Sequence, residues 1–343
     1  MSFLHRPGIA EAPHEYENEE VVDAVVRGLK YDPSRREGLV RFAANTGVKT
    51  RRFSRSLPEV CETAHYEVHN DASVNAVVDL TIEAGQKAMA NAGVHPHEVA
   101  VYIHIHATGR TAPSGADKTI KPLGLSPHVQ VIPMTELACA GGANALALAN
   151  RLAEPGKPVL VAGAEDLSSS FQLHKDHKPG HFAFKFLFGD GGAAAVVTAD
   201  RPGGPCLEIL DSDRYLLPES LSLFRGRFDH LGPHFDSEKG IKEAVGKVVR
   251  KLPWLDSWKP EFGVVHPGSR PILDWVIEAG GSSDHANRYS VDVLSRRGNC
   301  GGPTVFMVAA KAFDDPPPAD APGTLLAFGP GFRLEASRVR WLS

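Results

Sequence analysis

The chain repeats one local arrangement twice, and that repeat limits its possible folds more than any other feature. "VQVIPMTELACAGGANALALANRLAE" reads as strand, turn and buried helix, and much later "YSVDVLSRRGNCGGPTVFMVAAKAFD" reads the same way. Ahead of each lies a helical stretch, then an apolar strand and a loop rich in Gly or Pro. These are "ASVNAVVDLTIEAGQKAMANAG" with "EVAVYIHIHATG", and "GIKEAVGKVVRKL" with "FGVVHPGS". After each comes an apolar strand, "KPVLVAGAED" or "GTLLAFGPGF", and a closing one, "GAAAVVTAD" or "FRLEASRVRWL". Four blocks in the same order predict two related α/β halves, each with a mixed sheet and a central helix, joined through "TADRPGGPC". Both Gly-Gly helices are apolar on nearly every side, as helices buried between two sheets are. Aligning Gly141-Gly142 on Gly301-Gly302 sets Cys139 opposite Asn299. Packing the halves together therefore brings two helix N-termini, and those two residues, to one place.

At 343 residues, with 42% hydrophobic and 23% charged residues, the chain can build a large core of ordinary soluble type. A net charge of -4 supplies no general attraction to nucleic acid or to an anionic membrane. The opening "MSFLHRPGIAEAPHEYENEE" has no apolar h-region, and no later stretch is long and apolar enough for a membrane span. A cytoplasmic location is expected. Cys61, Cys139, Cys206 and Cys300 are too far apart for CxxC pairs, so free thiols are expected rather than zinc or a disulfide framework. In "LHKDHKPGH", His174, His177 and His181 are interrupted by Pro179-Gly180 and lack a carboxylate set, so a loop is expected and a metal site is not.

Three residues could do chemistry together. Cys139 precedes the first turn of its helix, where free N–H groups and the macrodipole favour an anion, so its thiol pKa is expected to fall. The glycines after it let a substrate carbonyl approach the backbone. His266 ends the short apolar strand of "FGVVHPGS", just where Pro-Gly turns the chain, and Asn299 lies in the turn "SRRGNCGG". Nucleophile, base and amide donor thus fall at equivalent strand ends.

With those residues in view the sequence resembles the type III polyketide synthases, the chalcone-synthase-like branch of the thiolase-fold condensing enzymes. "HPGSRPILD" is similar to the family's His-Pro-Gly-Gly-Pro-x-Ile-Leu-Asp block, "FGDGGAAAVV" to its Phe-Gly-Asp-Gly-Ala block, and "AFGPGFRLE" to its C-terminal Gly-Phe-Gly-Pro-Gly loop. "PSGADKTIKPLGLSPHVQ" is similar to the segment before the nucleophile, and the likeness runs from about "RFAANTGVKTRRF" to the C-terminus. The resemblance implies a five-layered αβαβα fold of two pseudo-duplicated halves, residues 1–199 carrying the nucleophile and 200–343 carrying His and Asn. It puts Cys139, His266 and Asn299 on the catalytic triad. The cysteine would hold a starter acyl group from an acyl-CoA, and the other two would stabilise the enolate left when malonyl-CoA loses carbon dioxide.

The resemblance also places Phe188 and Phe228 on two aromatic positions between the CoA tunnel and the reaction chamber. Arg41 falls at the tunnel mouth, with Gly268, Ser269 and Arg270 where the CoA arm enters. It implies a homodimer that needs no metal or prosthetic group and releases a pyrone, phenolic or short β-keto product. The chain departs from the family at several points. "CAGG" has one residue fewer than usual and is closer to the ketoacyl synthase III pattern; Gly38 and Asn45 stand where two tunnel-mouth lysines belong. Ser170 replaces a threonine of the pocket, Ala112 a larger residue that reaches the neighbouring subunit, and Gly301 and Pro303 a serine and an alanine. Smaller side chains there imply a larger chamber. Two rivals share the fold: a single-condensation enzyme or acyltransferase like ketoacyl synthase III, and a non-catalytic acyl-CoA-binding scaffold.

Overall fold

Neighbouring residues of the central strands belong to different cores, which fixes the layering. In the computed structural model, which describes residues 1–171, 173 and 179–343, the strand Val159–Glu165 is buried at every position. Val159 and Val161 pack with Leu146 and Ala149 of one central helix and Val305 and Val308 of the other. Leu160, Ala162 and Ala164 face the opposite way, onto Val77, Leu80, Ala84 and Ala88 of the long helix Tyr66–Ala92. Strand side chains alternate with period two, so a strand covered on both faces reads as a continuous apolar run. The second half does the same. Leu325 and Ala327 face the central helices, while Leu326 and Phe328 join the core under helices Ile241–Val249 and Arg270–Glu278. The layers are therefore helix, sheet, helix pair, sheet, helix, the thiolase-like arrangement.

Strand directions repeat as well. Val101–Ile105 runs parallel to Gln130–Met134 and to Val159–Glu165, and Gly191–Thr198 closes antiparallel. In the second half Phe262–Val265 runs parallel to Pro322–Gly329, and Arg333–Leu342 and then Cys206–Leu216 follow antiparallel. The two mixed sheets are not separate: the short strand Ser2–Leu4 pairs with Gly191–Thr198 on one side and Cys206–Leu216 on the other, making one ten-stranded sheet.

One expected strand is a helix. "YSVDV" lies in the helix Arg288–Arg297, so Gln130–Met134 has no strand counterpart in the second half among the described residues. Five residues of that stretch fit either period. The spacing of Tyr289 and Val293, both turned to the central core, and the basic pair Arg296 and Arg297 in the last turn decide for the helix.

The Gly-Gly pairs mark where the central helices Gly141–Leu152 and Thr304–Asp314 meet. A Cβ on Gly142 would sit 2.2 Å from the Gly302 carbonyl oxygen and 2.7 Å from Val305 Cγ1. Only glycine permits that approach. It draws the two helix starts together, with the residues just ahead of each.

Candidate active site

Cys139 lies in a single 3₁₀ turn, Ala138–Ala140, immediately before the first central helix. Ala138 holds a left-handed φ of 44°, a conformation that an alanine adopts only under constraint. The sulfur points into a cavity of about 270 Å³, walled mainly by apolar side chains, into which His266 and Asn299 also project. All three residues are buried.

Asn299 is fixed by its surroundings. Its Oδ1 accepts the Gly301 backbone N–H at 2.8 Å, which assigns the carboxamide orientation and leaves Nδ2 as the donor, 3.7 Å from Cys139 Sγ. Its backbone is tied at both ends to the segment carrying Phe188: Asn299 N donates to Leu187 O at 2.9 Å and Gly189 N to Asn299 O at 3.1 Å. That segment is held in turn by the fully buried guanidinium of Arg51, which donates to the carbonyls of Lys185, Phe186 and Phe188 at the end of helix Pro179–Leu187. A cation on the last carbonyls of a helix meets the negative end of its dipole.

His266 follows the strand Phe262–Val265, and its N–H extends that strand's ladder by donating to Leu326 O at 2.7 Å. The ring Nε2 is 3.1 Å from the Gly301 carbonyl. A carbonyl can only accept, so Nε2 carries the hydrogen. Gly301 thus orients both partners of the thiol, the imidazole through its carbonyl and the carboxamide through its N–H. It does so at φ +64°, with Glu165 Cγ 2.8 Å from where a Cβ would stand. Glu165 accepts from the backbone N–H groups of Ala107 and Thr108 and from the Thr108 hydroxyl; burial raises its carboxyl to about 7. Gly301 therefore opens no space in the cavity, contrary to the expectation, and acts on the site through its backbone.

The expected depression of the thiol pKa is reversed. Burial pushes the Cys139 thiol up to about 12, against an opposing hydrogen bond from Asn299, and pulls the His266 imidazole down to about 4. Desolvation in an apolar cavity disfavours the charged form of either group taken singly. A proton passing from sulfur to imidazole makes both charges at once, and their attraction offsets part of that cost.

The remaining expected site residues divide. Phe188, Gly268 and Ser269 line the cavity. Phe228 does not: it is 47% exposed on the strand Phe224–Asp229, under the Arg110 guanidinium and beside Tyr66. From the same hairpin Phe224 faces the cavity, and Phe235 meets Phe188 edge-on at 5.4 Å. Phe228 stands four residues beyond Phe224 on the same strand, next to the hairpin turn, and so lies away from the cavity. Ser170 is half-buried with its hydroxyl on Leu167 O at 2.7 Å, and Ala112 is exposed; neither lines the cavity in the single chain. Arg41 is exposed and ion-paired with Glu37, and Arg270 is paired with Asp274 at 3.0 Å. His174 and His177 lie outside the described residues, as does the side chain of His181. Sequence reasoning missed Phe184, Phe328 and Phe332, which also wall the cavity. Phe184 was findable, since it precedes Phe188 by one helical turn and its ring lies 5.2 Å from it.

A buried thiol, a carboxamide and an imidazole meeting where two duplicated halves join define a thiolase-fold condensing enzyme. The family model for the N-terminal domain of chalcone and stilbene synthases matches residues 8–201, more than half of the chain, which therefore belongs to that family, the type III polyketide synthases. It is 29% identical to the 1,3,6,8-tetrahydroxynaphthalene synthase of Streptomyces griseus, covering 99% of this chain and 93% of that protein. It is 27% identical to the phloroglucinol synthase of Pseudomonas fluorescens, covering 99% of each. The crystal structure of the Streptomyces coelicolor 1,3,6,8-tetrahydroxynaphthalene synthase superimposes with a TM-score of 0.92 over 99% of both chains, at 26% identity. No helix among the described residues is long and apolar enough to cross a membrane.

Proposed function

We propose that Cys139 accepts an acyl group from an acyl-CoA and that malonyl-CoA then extends it by decarboxylative condensation. The observation that carries this reading is the Asn299 Nδ2 donor 3.7 Å from Cys139 Sγ in a cavity that also holds His266. Among the described residues lining that cavity His266 is the one titratable base, so it takes the thiol proton as sulfur attacks the thioester carbonyl and passes it to the sulfur of the departing CoA. Malonyl-CoA enters next. The bond to its carboxylate carbon breaks, carbon dioxide departs, and the electron pair moves into an enolate. The enolate oxygen takes hydrogen bonds from Asn299 Nδ2 and from the His266 Nε2–H, which it shares with the Gly301 carbonyl. A neutral amide donor suits this step, because a cation there would hold the carboxylate back. The enolate carbon attacks the acyl-cysteine carbonyl, the carbon–sulfur bond breaks, and the chain is two carbons longer.

The phenol-forming names of the relatives favour a phenolic product. We read residues 1–199 and 200–343 as the two halves, and the working unit as a cytoplasmic homodimer using CoA thioesters without a metal or prosthetic group. The test is incubation with acyl-CoAs and malonyl-CoA followed by mass spectrometry. Several two-carbon additions support polyketide synthesis; a single addition or simple transfer supports the ketoacyl synthase III-like rival, and absence of any acyl-enzyme supports a scaffold. Cys139→Ala is expected to abolish loading, by at least about 10³-fold. Normal turnover by that variant would end the reading.

A further inference from the structure

Among the described residues that wall the reaction cavity, six are phenylalanine and none is Lys, Arg, Asp or Glu. The one ring there that could turn cationic, His266, stays neutral at pH 7, since burial pulls its imidazole down to about 4. The Thr46 hydroxyl is spent on Ala43 O at 2.7 Å, and the guanidinium of Arg51 on the backbone carbonyls of the Phe188 segment. A carboxylate carried in on a starter group would therefore lose its water and meet no countercharge. Malonyl-CoA escapes that penalty, because its carboxylate leaves as carbon dioxide.

The same walls limit size. Phe184 is half-buried on the helix Pro179–Leu187, with its ring against the cavity. That ring lies 5.2 Å from Phe188, 5.8 Å from Phe224 and 5.9 Å from Phe235. It cannot swing aside without breaking a cluster of four packed rings. An apolar cavity of about 150 Å³ holds one benzene molecule. At about 270 Å³ the reaction cavity holds fewer than two, and the incoming two-carbon unit needs part of that space.

We infer that the acyl group loaded on Cys139 is uncharged and short, roughly six carbons or fewer, and that the Phe184 ring sets the limit. The inference rests on the CoA chemistry proposed above and names the starter class within it. Phe184 acts here by touching the acyl chain, and the absence of a cation on the walls acts by rejecting a chain that ends in a carboxylate.

The test follows the rate of acyl transfer to Cys139 by intact-protein mass spectrometry. Butyryl-, succinyl- and decanoyl-CoA are given to the wild-type protein, to Phe184→Ala and to Phe184→Leu. Butyryl and succinyl groups have the same four carbons and differ in a terminal carboxylate. In the wild type, succinyl is expected to load about 10²-fold more slowly than butyryl, and decanoyl at least about tenfold more slowly. Phe184→Ala should speed decanoyl by about tenfold or more and leave succinyl excluded. Phe184→Leu, which keeps an apolar side chain in the cluster, should give a smaller gain in the same direction. The wild-type comparisons require no variant and hold even if Phe184→Ala folds poorly. Succinyl or decanoyl loading as fast as butyryl in the wild type, or no gain for decanoyl in a folded Phe184 variant, overturns the starter assignment and leaves the polyketide reading standing. Failure of every donor to acylate Cys139 ends that reading, and the starter assignment with it.

Discussion

The turn before Gly141 and the turn before Thr304 occupy matching places in the two halves, yet they have been put to different uses. The first holds Cys139 and carries a non-glycine, Ala138, in the left-handed region. The second holds Asn299, and its left-handed residue is Gly301, which tolerates that backbone without strain and lends both its polar groups to Asn299 and His266. A duplicated fold thus offers two equivalent helix starts. One carries the thiol, under local constraint, while the other carries the carboxamide donor that faces it.

Substitutions on the two turns separate those uses. Among variants that keep the thiol, the largest effect is expected from Asn299→Ala, which removes the Nδ2 donor. Decarboxylation of malonyl-CoA should slow by roughly 10²–10³-fold, the usual cost of one oxyanion donor. The same change removes the hydrogen bond that opposes the rise of the Cys139 pKa, so the pH midpoint for alkylation by iodoacetamide should move upward. A midpoint that stays put or falls would show that the carboxamide does not serve the sulfur. Next is Gly142→Ala, which thrusts a methyl group at the Gly302 carbonyl. A loss of about 3 kcal/mol in urea unfolding is expected, and unchanged stability would mean that the helices do not touch where the structure has them. The smallest is Ala138→Gly. Relief of the left-handed strain competes with a looser unfolded chain, so stability should change by no more than about 1 kcal/mol. Acyl loading should slow if the constraint helps to aim the sulfur.

Much of this was legible in the sequence. Gly-Gly pairs at equivalent points of two repeats led to a crossing of helices and so to Cys139 beside Asn299, because close approach leaves glycine few substitutes. The meeting of Cys139, His266 and Asn299 in one cavity could be read because each ends a strand or opens a helix, features that periodicity marks well. Other features depend on three dimensions. Whether Phe224 or Phe228 faces the cavity turns on the path of a hairpin, and "YSVDV" is too short to separate two periods. The thiol pKa was misjudged because the helix start is visible in sequence, whereas the degree of water exclusion around Sγ is a sum over residues from both halves.

The three-residue strand Ser2–Leu4 has a consequence for solubility. Among the described residues it alone bridges Gly191–Thr198 and Cys206–Leu216 in the sheet. While it is displaced, Val197–Thr198 and Leu207–Ile209 show vacant amide and carbonyl groups, a template on which other polypeptides can assemble. A fusion partner that pulls this short segment out of register therefore threatens precipitation before it threatens catalysis.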